Sequence, residues 1–225
     1  MTDRTTLGLL GGTFDPIHLG HLDAAEAART ALGLDRMRLI PSGAPPHRPV
    51  VANRIHRLAM ARLAVEARLG YEVSEAETGR LGPSYTADTL RVLHAEGWKA
   101  TQLFFVLGLD AFAEIAMWRE FPAVLDDSHL VVITRSGTTP NQAIERLPVI
   151  KARLRRPGTP LDQTPGTVII PVEAQTRNIS SSGIRDRLAR RQAIDHLVPP
   201  PVARYILDHR LYDAVGPLHD QNRDT

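Results

Sequence analysis

Gly11-Gly12-Thr13-Phe14-Asp15-Pro16-Ile17-His18-Leu19-Gly20-His21 follows the apolar run Leu7 to Leu10 and opens Leu19 to Leu32, a stretch with the period of an amphipathic helix. A strand that turns through two glycines into a helix start lays out a phosphate site. Glycine lets backbone approach a ligand closely, and the unpaired amides of a first helical turn attract anions. The pattern is neither GxGxxG nor GxxxxGK(S/T), so the usual dinucleotide and Walker arrangements do not apply. His18 and His21 are three apart, and a helix beginning near His18 projects both imidazoles from one side of its first turn. Two such donors suit phosphate oxygens. Taken singly, either histidine reads equally well as a satisfied polar residue beside a turn. Zinc fits less well, because HxxH is not HExxH and no third ligand stands at metal-site spacing.

Further short apolar runs follow at Met37 to Ile40, Leu103 to Leu107, Leu130 to Ile133 and Val168 to Ile170, with helical periodicity between them, as in Ile55 to Leu69. Strands this short and this continuously apolar belong in a parallel sheet covered on both faces. The expected fold is therefore α/β, a Rossmann-like doubly wound, mainly parallel sheet with helices on both faces and a small C-terminal helical region within Leu197 to Tyr212. One domain over 1–215 is expected. Gly137, Pro140, Pro148, Pro157, Gly158, Pro160, Pro165 and Gly166 mark 136–166 as a flexible insertion, with a helix over part of 141–154, and 216–225 reads as a frayed tail.

The 225 residues are 43% hydrophobic and 23% charged, which suits a globular chain and not a disordered, collagen-like or coiled-coil one. With no cysteine, disulfides, thiolate nucleophiles and Cys-ligated metals are excluded. The 27 Lys and Arg against 25 Asp and Glu leave a charge of +2, and no basic, aromatic-rich stripe suggests RNA. No apolar run approaches a membrane span and the start carries no signal-peptide pattern, so a cytoplasmic location is expected, with no membrane or nucleic-acid partner. Association into a homo-oligomer stays open.

Several other segments carry chemistry-bearing residues. These are Pro41-Ser42-Gly43-Ala44-Pro45-Pro46-His47-Arg48, Gly82-Pro83-Ser84-Tyr85-Thr86-Ala87-Asp88-Thr89-Leu90, Gly108-Leu109-Asp110, Met117-Trp118 and Ile179-Ser180-Ser181-Ser182-Gly183-Ile184-Arg185. Together with the first turn, and in this order, they resemble the HxGH nucleotidyltransferases, and among these the bacterial nicotinate-nucleotide adenylyltransferase family. The motifs span nearly the whole chain and are far more specific than HxGH alone. The resemblance implies transfer of AMP from ATP to nicotinate mononucleotide (NaMN), giving deamido-NAD and pyrophosphate. A phosphate monoester is a suitable nucleophile without a general base, since its second pKa of roughly 6 leaves it largely dianionic. The protein must align it with the α-phosphorus and stabilise charge on the leaving pyrophosphate.

By the same resemblance His18, His21 and Arg185 are the catalytic set. Gly11, Gly12, Thr13, Phe14, Gly108, Asp110, Ile179, Ser181 and Ser182 join them around ATP. Asp15, Pro46, His47, Arg48, Ser84, Tyr85, Thr86, Ala87, Trp118 and Arg119 are implied for NaMN, with the indole stacking on the pyridine and amides near Thr86, Ala87 and Arg119 meeting its carboxylate. Read without the resemblance, the serines are an N-cap, Asp110 is an N-cap ahead of Ala111 to Ala116, and Trp118 is an anchor. Many relatives have tyrosine where Arg119 stands, lysine at Arg48 and threonine at Ser182. Mg²⁺ is implied with the ATP phosphates rather than on protein side chains, since no carboxylate cluster would hold it alone. The alternatives are an adenylyltransferase for nicotinamide mononucleotide (NMN) or another phosphate acceptor such as phosphopantetheine, and a catalytically silent nucleotide-binding regulator.

Overall fold

Six strands form one parallel sheet in the order β3-β2-β1-β4-β5-β6, in a computed structural model that describes residues 5–46, 49–134, 147–155 and 166–213. The strands are β1 (Leu7–Gly12), β2 (Arg36–Pro41), β3 (Tyr71–Val73), β4 (Leu103–Gly108), β5 (His129–Thr134) and β6 (Ile169–Glu173). Among the described residues the helices are α1 (Leu19–Leu32), α2 (Arg54–Val65), α3 (Thr86–Ala95), α4 (Leu109–Ala113), α5 (Pro148–Arg153), α6 (Ser181–Ala189) and α7 (Pro200–Asp208). None of them is long and apolar enough to cross a membrane.

Alternation along each strand feeds two cores. Leu10, Phe104, Val106 and Val131 pack on one face with Leu22 and Ala25 of α1, Met60 of α2 and Ile184 of α6. Leu7, Leu9, Phe105, Leu107 and Val132 pack on the other with Leu90 of α3 and Phe112 of α4. This two-sided cover is why the strands read as continuous apolar runs.

The strand order reverses between β1 and β4, and in open α/β sheets ligands bind at that reversal, outside the carboxyl ends of the strands. Gly12 and Gly108 each lie two residues beyond the Leu10–Val106 register pair, so the glycine turn and the Gly108-Leu109-Asp110 corner flank the same crevice.

Two elements escaped the sequence reading. Strand β3 is three half-buried residues at the sheet edge, held by Arg38 Nε on Glu72 at 2.5 Å and by the Tyr71 hydroxyl on Glu26 at 2.6 Å. Helix α3 carries the motif Thr86 to Leu90 on its first turns. Helix α2 ends at Val65 rather than Leu69, and the expected helix near 141–154 is found as α5. Otherwise the expected insertion falls largely outside the described residues, and the expected tail falls wholly outside them.

One residue of α2 departs from its apolar face. Positions 57, 60, 61 and 64 share the i, i+3, i+4, i+7 stripe, and its first member is Arg57, 0% exposed. Its guanidinium donates to the carbonyls of Ala52 (3.1 Å), Thr13 (2.7 Å), Ser42 (2.6 Å) and Gly43 (2.9 Å), joining the glycine turn to the loop after β2. A buried guanidinium is tolerated here because its donors are used, and deleting it strands four carbonyls. Arg57→Met is expected to lower the unfolding free energy by about 3–5 kcal/mol. Urea denaturation measures this, and a loss below about 1 kcal/mol would refute the account.

Candidate active site

Helix α1 begins at Leu19, with His18 as its N-cap in extended conformation. The imidazoles of His18 and His21 stack with centroids 3.6 Å apart and planes 23° from parallel. The expectation that both project from one side of the first turn is met. The His18 amide donates to His21 Nδ1 at 3.2 Å, which assigns the His21 proton to Nε2. The Phe14 ring meets His21 edge-on at 5.1 Å and holds it from the side. Burial, and secondarily the neighbouring His18, hold His21 well below the usual imidazole range. Burial lowers His18 to about 4, against the raising influence of Asp23, and His18 Nδ1 has no hydrogen-bond partner. Both rings are therefore neutral near pH 7 in the free protein.

The glycines do more than admit a ligand. A Cβ on Gly12 would lie 2.7 Å from the Phe14 ring, and one on Gly11 would lie 3.0 Å from Phe105. Phe14 itself adopts a left-handed φ of 51° while its ring is buried, a backbone strain that the surrounding contacts maintain.

The serine motif docks directly on this turn. Ser180 caps α6 by accepting from the Gly183 amide at 3.1 Å, Ser181 Oγ donates to the Pro16 carbonyl at 2.9 Å, and Arg185 Nη1 donates to the Asp15 carbonyl at 2.7 Å. The capping reading thus holds for Ser180. Ser182 is exposed, and its hydroxyl meets Ser180 Oγ at 3.3 Å. Arg185 is partly exposed, and its bond to Asp15 runs through Nη1.

Asp15 is engaged within the protein. Expected among the acceptor-binding residues, its carboxylate is 3% exposed and accepts from the amides of Val51 (2.7 Å) and Ala52 (3.1 Å) and from the Tyr212 hydroxyl (2.6 Å). A carboxylate so occupied braces the turn. Asp110 also differs from the capping alternative. The N-cap of α4 is Gly108, Asp110 lies exposed in the first helical turn, and nothing among the described residues bonds to it.

At the opposite wall, Ser84 Oγ accepts from the amides of Gly43 (2.9 Å) and Ala44 (3.3 Å), and the Ser84 amide donates to the Ala44 carbonyl at 2.9 Å. The hydroxyl expected on NaMN is thus engaged in joining two loops. Gly43 is sterically required, since a Cβ there would fall 2.1 Å from the Glu77 carbonyl oxygen. Glu77 is buried beneath this junction, bonded to Thr89 Oγ1 at 2.5 Å, and its carboxyl is raised above the usual range by burial.

Helix α3 starts after Tyr85 with no side-chain cap, which leaves the amides of its first turn available. The Trp118 ring is partly buried, edge-on to Phe105 at 5.8 Å. Arg119 lies 4.9 Å over the Tyr85 ring, 3.7 Å from Asp88 and 3.6 Å from Glu120, so it leans toward that helix start. Pro46 is exposed, and His47 and Arg48 lie outside the described residues.

With this geometry in place, a cytidylyltransferase-like family model matches residues 9–187. A probable nicotinate-nucleotide adenylyltransferase from Pelobacter propionicus is 39% identical over 213 residues, 92% of this chain and 97% of the relative. The chain belongs to the nicotinate-nucleotide adenylyltransferase family. A relative of the same description from Roseiflexus sp. is 40% identical over 210 residues, covering 92% of this chain and 97% of its own length. The structure of Plasmodium falciparum nicotinic acid mononucleotide adenylyltransferase complexed with NaAD superposes with a TM-score of 0.72 at 17% identity, over 94% of this chain and 98% of that one. That likeness bears out the doubly wound fold.

Arg57, Glu77 and Tyr212 were not anticipated. An arginine on an apolar stripe was the available signal for the first, whereas nothing local marks Tyr212 as a partner of Asp15.

The neutral histidines carry a pH dependence. Between pH 6.5 and about 4 the unfolded chain binds a proton at position 18 that the folded chain refuses, so stability is full above 6.5 and falls as pH drops through this window. His18→Asn keeps a residue that caps well and should flatten the decline, by up to roughly 3 kcal/mol relative to the parent. Urea unfolding at pH 7, 5.5 and 4 tests this. Parallel declines for the two proteins would refute it.

Proposed function

We propose that this chain transfers AMP from ATP to NaMN. A 5′-phosphate oxygen of NaMN attacks the α-phosphorus, a new P–O bond forms, the α–β bridging bond breaks, and pyrophosphate leaves with its electron pair. The products are deamido-NAD and pyrophosphate. The observation that carries the reading is the convergence, at the β1/β4 reversal, of the stacked His18–His21 pair with the Arg185 guanidinium on the Asp15 carbonyl.

The dianionic nucleophile needs no base, so the protein's work is alignment and charge stabilisation. His21, with its proton on Nε2, donates a hydrogen bond as a neutral imidazole, and oriented donors of this kind act most on charge that develops in the transition state. Arg185, with Gly11 to Phe14, Ile179, Ser181 and Ser182, grips the triphosphate, while exposed Asp110 accepts from ribose hydroxyls. Mg²⁺, arriving with the nucleotide, would supply positive charge against the leaving pyrophosphate. Among the described residues no group of three or more His, Cys, Asp or Glu could hold a cation without nucleotide.

NaMN sits against the opposite wall. Trp118 stacks on the pyridine, and the free amides of Thr86 and Ala87 meet its carboxylate, with Tyr85 and Ser84 shaping the loop and Pro46, His47 and Arg48 flanking it. Donors without acceptors favour carboxylate over carboxamide. Arg119, leaning over Tyr85, adds positive charge there.

Pyrophosphate release with ATP and Mg²⁺ should run well above the NMN and phosphopantetheine rates when NaMN is the acceptor. Release with none of them would favour a silent regulator. His21→Ala should lower kcat by roughly 100-fold or more while changing the KM for NaMN little, and unchanged turnover would remove His21 from the mechanism. Arg119→Ala should narrow the NaMN/NMN ratio of kcat/KM by about 3- to 10-fold. An unaltered ratio would assign the preference to backbone donors alone.

A further inference from the structure

The Tyr212 hydroxyl reaches across the molecule to Asp15, 197 residues away, at 2.6 Å, and Tyr212 is only 7% exposed. The same Asp15 presents its main-chain carbonyl to Arg185 at 2.7 Å, and the next carbonyl, Pro16, accepts from Ser181 at 2.9 Å. Tyr212 holds this place in a left-handed conformation, φ 58°, within a C-terminal 3₁₀ turn, and Arg210 before it has φ 50°. Neither is glycine. Such backbone is retained where surrounding interactions demand it, and it is found preferentially at functional sites. Burial, and then the bond to Asp15, push the phenol well above its ordinary range, so it remains a donor throughout the working pH.

We infer that Tyr212 is a positioning residue for adenylyl transfer: through the Asp15 carboxylate it fixes the carbonyl that orients Arg185, and so sets that guanidinium relative to the His18–His21 pair. The inference rests on the proposed reaction. Asp15 is the point of leverage because both ends of the residue are engaged. Its side chain takes Tyr212, Val51 and Ala52, and its main chain takes Arg185. Loss of the hydroxyl leaves the buried Oδ1 with the Ala52 amide as its remaining donor, and the residue that carries the carbonyl is then less firmly held. A guanidinium displaced from its transition-state position costs turnover more than substrate affinity.

The test is a double-mutant cycle. Tyr212→Phe keeps the ring and should lower kcat about 10-fold, with KM for ATP and NaMN within about 3-fold. In an Arg185→Ala background the same substitution should cost less than about 2-fold, because the residue it acts through is gone. Equal losses in both backgrounds would make Tyr212 a purely structural element and overturn the inference. Asp15→Asn must show the same dependence on Arg185, which keeps the idea falsifiable if Tyr212→Phe folds poorly. Amide hydrogen exchange of the free protein reads the brace without any turnover. Tyr212→Phe should speed exchange in the peptides covering 13–21 and 51–52 and leave β5 unchanged. Unchanged exchange at 13–21 refutes the brace, whereas a wild-type protein inert towards every acceptor refutes the reaction.

Discussion

A carboxylate cut off from water must be satisfied by donors the protein supplies, and Asp15 obtains them from segments 36, 37 and 197 residues away. That requirement draws the loop before α2 and the C-terminal 3₁₀ turn onto the glycine turn after β1. Arg57 imposes a matching demand from the other sign of charge, gathering the carbonyls of Thr13, Ser42, Gly43 and Ala52. The turn that presents His18 and His21 is therefore clamped on one side by acceptors seeking an arginine and on the other by donors seeking a carboxylate. A loop held this way needs little rearrangement when charge changes beside it.

The two walls of the crevice do different work. The β1 and α6 side offers imidazoles, hydroxyls and a guanidinium, all suited to phosphate. The α3 side offers an uncapped helix start, a tryptophan and an arginine over a tyrosine, a set suited to a flat ring bearing negative charge. Arg80, Arg91 and Arg119 surround Asp88, and Arg91 and Arg119 also reach Glu120, so the acidic groups near that helix start are matched by cations. An anionic substituent arriving there meets little net repulsion.

Much of this was legible from local pattern. The strand β1, the glycine turn and the first turn of α1 are contiguous, so their geometry follows from residues that touch along the chain. The stacking of His18 on His21 follows from a spacing of three. Asp110 and Ser180 illustrate the limit of such reading. Both were candidate caps, and the structure makes Ser180 the cap of α6 while Gly108 takes that place in α4. Strand β3 was missed because three half-buried residues have too short a period to register, and it persists through cross-element bonds from Arg38 and Tyr71.

What the sequence by itself determined is the layered α/β fold, the order of its motifs and the pairing of His18 with His21 beside the glycine turn, because each depends on periodicity or on neighbours within a few residues. What only the tertiary structure decided is which polar groups are consumed in holding the site and which remain for a ligand. Asp15, Ser84 and Arg57 carry the same charges and hydroxyls in the sequence as residues that bind substrates. Their partners lie in distant segments, and a buried polar group is assigned to structure or to chemistry by the donors and acceptors that folding brings within 3 Å of it.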